Sequence, residues 1–427
     1  MVVRGEDDAV VKLKVAGGIP LRGTIRASGS KNAAVAAIPA ALMAHGPSVL
    51  DNVPLIGDVL VFIDILRELG ADIEVDPAGS LTIHPNGFQA WQAPYDLVKR
   101  LRASYYLVGA LLPKFGRVEV ALPGGCDIGV RPIDLHLKGL RALGADVSLE
   151  HGVIKARAEH LRGASIYLDD ASVGATINVM MAACLAEGDT VIENAAREPH
   201  VADVANYLSA MGARIHGAGT EYIRIKGVRE LRGTEHTIIP DEIEAGTYLI
   251  AAVASRGEIV VQNVITKHLE SVVAKLREVG AQIETNGDWV RVQAPERPRA
   301  ANVRTLRYPG FPTDLQQPYV SLACLADGIS VIHETIYENR FGFVNELLRM
   351  GARIKVEGRT AIVQGVERLL GAPVRARNDL RGGAALVVAA LAAEGEAEID
   401  DLQYIDRGYE HIEEKLRALG AKVSRVP

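Results

Sequence analysis

LRELGADIEV at residues 66–75 and LRALGAKVSR at residues 416–425 are copies of one phrase, and four more copies lie between them: LRALGADVSL from Leu140, LSAMGARIHG from Leu208, LREVGAQIET from Leu276 and LLRMGARIKV from Leu347. Each reads as the leucine-rich end of a helix, a Gly-Ala step and a strand, because glycine just past a helix adopts the left-handed conformation that closes it. The glycines are Gly70, Gly144, Gly212, Gly280, Gly351 and Gly420, spaced by 74, 68, 68, 71 and 69 residues. A second mark runs in phase with the first. Alanine-rich stretches run up to Gly46, Gly116, Gly188, Gly257, Gly328 and Gly395, each followed by a strand-like run such as DTVIEN or GEIVVQN. Each unit of about 70 residues is therefore helix–strand twice over, too large for a solenoid of short repeats. Six units fit as two groups of three, each around its own core, with the break expected within 229–244, where RELRGTEHTIIPDEIEAG is polar and turn-rich.

The bulk properties agree with a globular α/β chain. Its 427 residues exceed one ordinary core, and 48% hydrophobic with 23% charged residues is too apolar for a disordered chain. A net charge of −6 offers no basic field for nucleic acid or anionic lipid. The longest apolar runs, Ala33–Ala44 and Ala384–Ala393, fall short of the roughly 18–20 residues of a membrane span. The opening MVVRGEDD carries acids where a signal peptide would be apolar, so a cytoplasmic location is expected. Three cysteines imply no disulfide framework. Cys184 and Cys324 occupy matching places in ACLAEG and ACLADG and read as core filler.

Cys126 differs: it lies in LPGGCDIGVRPIDLH, among Pro123, Gly124, Gly125 and Gly129, with no counterpart in the other repeats. With Arg131 five residues on, it reads either as a reactive thiol or as an incidental loop cysteine. Lys31 and Asn32 follow Ser28-Gly29-Ser30 at a helix start, which reads either as an anion site or as a serine cap beside a solvated lysine. Ser172-Val173-Gly174 and Asp379-Leu380-Arg381 open further helices, and Thr313-Asp314-Leu315 looks like another start with Asp314 as its N-cap. Arg102, Arg340 and Arg407 sit near element boundaries. Alone each reads as solvated surface; at equivalent edges of repeats they could converge on a polyanion. The eleven histidines show no metal-ligand spacing, and neither GxxxxGK[ST] nor a GxGxxG after a strand occurs.

In order along the chain, SGSKNAA, LRAS, LPGGCDIGVRPIDLH, ASVGAT, FPTDLQ, ETIYENRF, DLRGGAAL and YIDRGYEHIEEKLRALGA resemble the bacterial UDP-N-acetylglucosamine enolpyruvyl transferases. The Gly-Gly-Cys loop with Arg-Pro-Ile-Asp-Leu-His separates that family from the sister 5-enolpyruvylshikimate-3-phosphate (EPSP) synthases. The resemblance implies two inside-out α/β barrel domains, each of three similar units. Residues 31–239 would form the first, residues 1–30 plus 240–427 the second, with the active site in the cleft between them. It further implies transfer of the enolpyruvyl group of phosphoenolpyruvate to the 3′-hydroxyl of UDP-N-acetylglucosamine, the first committed step of peptidoglycan synthesis. No cofactor or metal is implied.

Residue roles carry over from the same motifs. Cys126 is implied as the general acid and the target of fosfomycin, and Asp314 as the base. Lys31, Arg131 and Arg407 would hold phosphoenolpyruvate, with Asn32, Arg340 and Arg381 beside it. Asn32, Arg102, Arg131, Pro132, Ile133, Asp134, Leu135, Ser172, Val173, Gly174, Asp314 and Ile336 would contact the nucleotide sugar. Three positions depart from the family pattern: Asp170 where lysine is frequent, His200 where an acid is common, and Gly382 for alanine. Two other readings remain: a paralogue with a different acceptor, and a repeat-built anion binder without turnover.

Overall fold

The computed structural model describes residues 11–85, 90–122 and 133–427. These gather into two compact units, one of residues 29–85, 90–122 and 133–239, the other of residues 11–28 and 240–427.

The repeated phrase is a helix cap. In all six copies the alanine N–H donates to the carbonyl of the leucine five residues earlier, at 2.9–3.1 Å. The glycine between them has φ between +84° and +108°. This is the Schellman closure: leucine and alanine face the core and only glycine takes the left-handed position without strain. The six leucines are 0–1% exposed, so each cap also pins a core side chain.

The second mark behaves differently. Only at Gly116 does the glycine itself end the helix, its N–H donating to the Leu112 carbonyl. Gly46, Gly188, Gly328 and Gly395 have positive φ but lie several residues past helices that end at Ala41, Cys184, Ala323 and Ala392. At the fourth copy Arg256 takes the left-handed turn at φ +58°, and Gly257 is pressed against the backbone of Leu21, where a Cβ would lie 2.2 Å from the carbonyl oxygen.

Each repeat builds one sheet. In Ser165–Tyr167, Asp189–Glu193, Tyr222–Lys226 and Arg214–His216 the first pair is parallel, joined through the helix Val173–Cys184, and the hairpin that follows is antiparallel. Alternating burial, as in Tyr222–Lys226, turns one sheet face inward and leaves the other to solvent. In the first unit the helices Lys31–Ala41, Tyr106–Phe115 and Val173–Cys184 are buried almost all round; Glu242–Ala254, Gln316–Ala323 and Leu380–Ala392 are their counterparts in the second. The alanine-rich runs are therefore central helices with sheets outside them, the inside-out arrangement, and each unit has its own apolar core. No helix among the described residues is long and apolar enough to cross a membrane.

Two strands are exchanged between repeats. Arg22–Arg26 immediately precedes the helix Lys31–Ala41 in the chain but pairs in parallel with Glu258–Gln262, in the unit of residues 240–427. Glu235–Thr237 precedes the helix Glu242–Ala254 but pairs with Ser48–Asp51. Lys12–Ala16 completes the last sheet, lying between Glu396–Asp400 and Lys422–Val426.

Candidate active site

The described residues expected at the site fall in both units. In the unit of residues 240–427, Asp314 lies in the short 3-10 turn Thr313–Leu315 ahead of the helix Gln316–Ala323. It is not the N-cap expected from the sequence: Pro312 holds that position, and no side chain caps the turn. The carboxylate is taken instead by two guanidinium groups. Arg340 donates from Nη2 to Oδ1 at 2.5 Å, and Arg381 donates from Nε and Nη2 to Oδ2 at 3.3 and 3.2 Å. Arg340 and Arg381 are 3% and 4% exposed, whereas Asp314 keeps an opening to solvent.

Two buried arginines need anions and aromatic faces around them. Arg340 stacks on Tyr337 and Arg381 on Tyr409, each with the guanidinium carbon 5.2 Å from the ring centre. With its amide oriented to satisfy both neighbours, Gln317 accepts from Arg340 Nε at 2.5 Å and donates to the Thr313 carbonyl at 3.1 Å. Burial works to lower the pKa of both arginines, but Asp314 and Asp379 around Arg340, and Tyr409, Asp314 and Asp241 around Arg381, outweigh it and hold them above the ordinary value. Asp379 caps the helix Leu380–Ala392 as expected and accepts from the Arg381 N–H at 3.1 Å. Glu242 has an Oε2 sealed from solvent without a hydrogen-bond partner; burial first, then Asp241, pushes its pKa up, with Asp314 adding and Arg381 opposing. Ile336 donates its N–H to Glu334 at 2.7 Å. Arg407 is half-buried in the turn after Leu402–Tyr404.

In the other unit Ser30 caps the helix Lys31–Ala41, its hydroxyl accepting from the Ala33 N–H. Lys31 is not solvated: its ammonium meets Asp58 at 3.1 Å, and Asp58, in the first turn of the helix Gly57–Glu68, is buried. Asn32 follows it, half-buried. A second set surrounds His136. Ser172 caps the helix Val173–Cys184 by accepting from Ala175 N–H at 3.3 Å, and Val173 is its first residue. Gly174 lies so close to His136 and Tyr105 that a Cβ would come within 2.8 Å of the imidazole Cε1 and 2.9 Å of the phenol oxygen. Arg102 opens the turn Arg102–Tyr105, and Ile133, Asp134 and Leu135 begin the helix that carries His136.

The His136 ring is set by Asn178. Asn178 Oδ1 accepts from Gly109 N–H at 2.6 Å, and Nδ2 donates to the Tyr105 carbonyl at 2.9 Å. With the amide so oriented, its remaining N–H points to His136 Nδ1 at 3.0 Å, which places the imidazole proton on Nε2. Burial, with the Arg102 charge adding, pushes the imidazole pKa down to about 3.

Cys126, Arg131 and Pro132 lie outside the described residues. Cys184 and Cys324 are fully buried, and burial pushes both thiols up to about 12, so neither is a reactive alternative. Among the departures from the family pattern, Asp170 is exposed and His200 buried. An alanine methyl at Gly382 would lie 2.6 Å from Asp379 Oδ2. The residue-level reading missed Asp58, His136, Asn178, Tyr409 and Glu242. A lone amide in the apolar helix GATINVMMAA was the one available signal, since a buried amide demands partners.

The sequence profile of the EPSP synthase (3-phosphoshikimate 1-carboxyvinyltransferase) family matches residues 15–416. UDP-N-acetylglucosamine 1-carboxyvinyltransferase 3 of Caldanaerobacter subterraneus subsp. tengcongensis is 55% identical, over 97% of this chain and 99% of its own length. UDP-N-acetylglucosamine 1-carboxyvinyltransferase 2 of Symbiobacterium thermophilum is 56% identical, over 97% and 98%. Among solved structures, the enolpyruvyl transferase NikO of Streptomyces tendae superposes with a TM-score of 0.86 at 26% identity, covering 98% of this chain and all of NikO. An EPSP synthase of Acinetobacter baumannii gives 0.74 at 18% identity, over 98% and 100%, a likeness of fold. The chain is a member of the EPSP synthase family and stands, within it, beside the UDP-N-acetylglucosamine 1-carboxyvinyltransferases.

Proposed function

We propose that the chain transfers the enolpyruvyl group of phosphoenolpyruvate to the 3′-hydroxyl of UDP-N-acetylglucosamine with release of phosphate, as the first committed step of peptidoglycan synthesis in the cytoplasm. The observation that carries the reading is the pairing of Asp314 with two buried arginines, in a chain 55–56% identical to curated enzymes named for this transfer. Phosphoenolpyruvate holds a carboxylate and a phosphate close together, so it needs several fixed cations. Lys31, Arg131, Arg340, Arg381 and Arg407 supply them, with Asn32 beside Lys31. The nucleotide sugar is assigned to Arg102, to 131–135, to Ser172, Val173 and Gly174, and at the sugar to Asn32, Asp314 and Ile336.

In the addition step the sugar oxygen bonds to C2 of phosphoenolpyruvate while its C3 methylene takes a proton, giving a tetrahedral ketal. Elimination then breaks the C2–O bond to phosphate and removes a proton from C3, restoring the double bond. Cys126 is assigned as the acid and Asp314 as the base. The ion pairs give the base a condition. An anion arriving beside Arg381 competes with Asp314 for the guanidinium, so donor binding loosens the carboxylate to accept the sugar proton.

Phosphate release from phosphoenolpyruvate tests the reading, with UDP-N-acetylglucosamine, shikimate 3-phosphate or no acceptor, each with and without fosfomycin. Release only with the nucleotide sugar, blocked by the epoxide, is expected. Release with shikimate 3-phosphate alone would move the chain to the sister activity, and none with any acceptor would refute transfer.

A further inference from the structure

Glu334 opens the ETIYENRF segment, and the chemistry above does not use it. It follows directly on the strand Ile329–His333 and is fully buried. A buried carboxylate is stable only when hydrogen-bond donors satisfy it. Here there are three. Oε1 accepts the N–H of Ile336 at 2.7 Å and of Tyr337 at 3.2 Å, and Oε2 accepts the Thr313 hydroxyl at 2.9 Å.

All three donors lie on segments that carry residues of the site. Ile336 is itself assigned to the sugar, Tyr337 stacks on Arg340, and Thr313 immediately precedes Asp314. The strand end is secured by other bonds: Glu334 N–H donates to the Arg359 carbonyl at 2.8 Å, and Thr335 N–H and hydroxyl bond Thr305 at 2.9 and 2.5 Å. The side chain of Glu334 therefore serves the turn and Thr313 rather than the sheet.

We propose that Glu334 is the positioning residue of the acceptor side of this site. It braces the Ile336 turn against Thr313 so that Asp314 and Ile336 meet the sugar in fixed register; the proposal rests on the function given above. Of the cations assigned to the donor, Lys31 is held by Asp58 and Arg381 stacks on Tyr409, neither of which Glu334 bonds, so losing the brace falls on the nucleotide sugar more than on the donor.

Steady-state kinetics of the full chain with both substrates test this. Glu334→Ala is expected to lower kcat/KM for UDP-N-acetylglucosamine by about tenfold or more while the KM for phosphoenolpyruvate stays within about twofold. Glu334→Gln should retain most of the activity, since its amide oxygen accepts the two N–H groups and its amide N–H reaches the Thr313 hydroxyl. Thr313→Val should shift the same constants as Glu334→Ala, and Thr313→Ser should restore them. A Glu334→Ala enzyme within about twofold of wild type in every constant overturns the proposal, as does a loss shared equally by both substrates. If Glu334→Ala does not fold, the Thr313 pair decides: wild-type constants in Thr313→Val overturn it. Wild-type protein that releases no phosphate with the nucleotide sugar refutes the function itself, a result distinct from any pattern among the variants.

Discussion

Asp314 meets Arg340 and Arg381 across 26 and 67 residues of chain. No local pattern announces such a pairing, which is why the residue-level reading made Asp314 an N-cap and only the family motifs marked it as chemical. Lys31 shows the converse. Its helix start was legible through Ser30, but its partner Asp58 belongs to another helix. His136 carries a consequence for stability. Its folded pKa of about 3 lies below the ordinary 6.5, so above pH 6.5 the ring is neutral in both states. As the pH falls below 6.5 the unfolded chain binds a proton that the folded chain does not, and stability drains until about pH 3. Urea unfolding at pH 7.5 and 5 should show wild type losing about 2 kcal/mol more than His136→Gln between the two conditions. Equal losses would show that His136 is not the group responsible.

At the scale of elements, the phrase Leu-x-x-x-Gly-Ala was legible because the Schellman closure is local: six consecutive residues contain the whole geometry. The alanine-rich helices were legible as helices, but their central, buried place was not, since it depends on how the three units of each group pack. The second glycine mark was half legible. It located the strand starts, but the turn itself is set by tertiary contacts, as at Gly257, where the Leu21 backbone occupies the space a Cβ would need and Arg256 makes the turn. Close approach also explains Gly109, where a Cβ would fall 2.4 Å from the Asn178 carbonyl oxygen and 2.3 Å from its Oδ1. Gly109→Ala should destabilise the protein by about 1–3 kcal/mol, read from the denaturant midpoint, because two central helices must separate to admit the methyl. A midpoint unchanged from wild type would mean that the helices give way freely.

At the scale of the whole molecule, the six-fold repeat count was readable from spacing, whereas the strand exchange was not. Pairing partners are chosen by three-dimensional closure, and nothing in the residues of Arg22–Arg26 says that their neighbour is Glu258–Gln262. The exchange makes the two units unequal as pieces of chain. Residues 29–239 contain all four strands of their first sheet, including Glu235–Thr237. Residues 240–427 lack Arg22–Arg26, and they also lack Lys12–Ala16, a strand flanked on both sides. The fragment 29–239 is therefore expected to unfold cooperatively by itself. The fragment 240–427 should show a cooperative transition only when a peptide of residues 11–28 is added. A cooperative transition for 240–427 without the peptide would show that the two strands are dispensable.

The same exchange sets a timetable for synthesis. Glu258–Gln262, the partner of Arg22–Arg26, comes little past the middle, whereas Lys12–Ala16 is made early and its partners Glu396–Asp400 and Lys422–Val426 are among the last residues made. At about 5–20 residues per second, the interval is on the order of 20–80 s. Through that time Lys12–Ala16 waits without a sheet to join while 29–239 can already be complete, so one of the first strands made is among the last to pair.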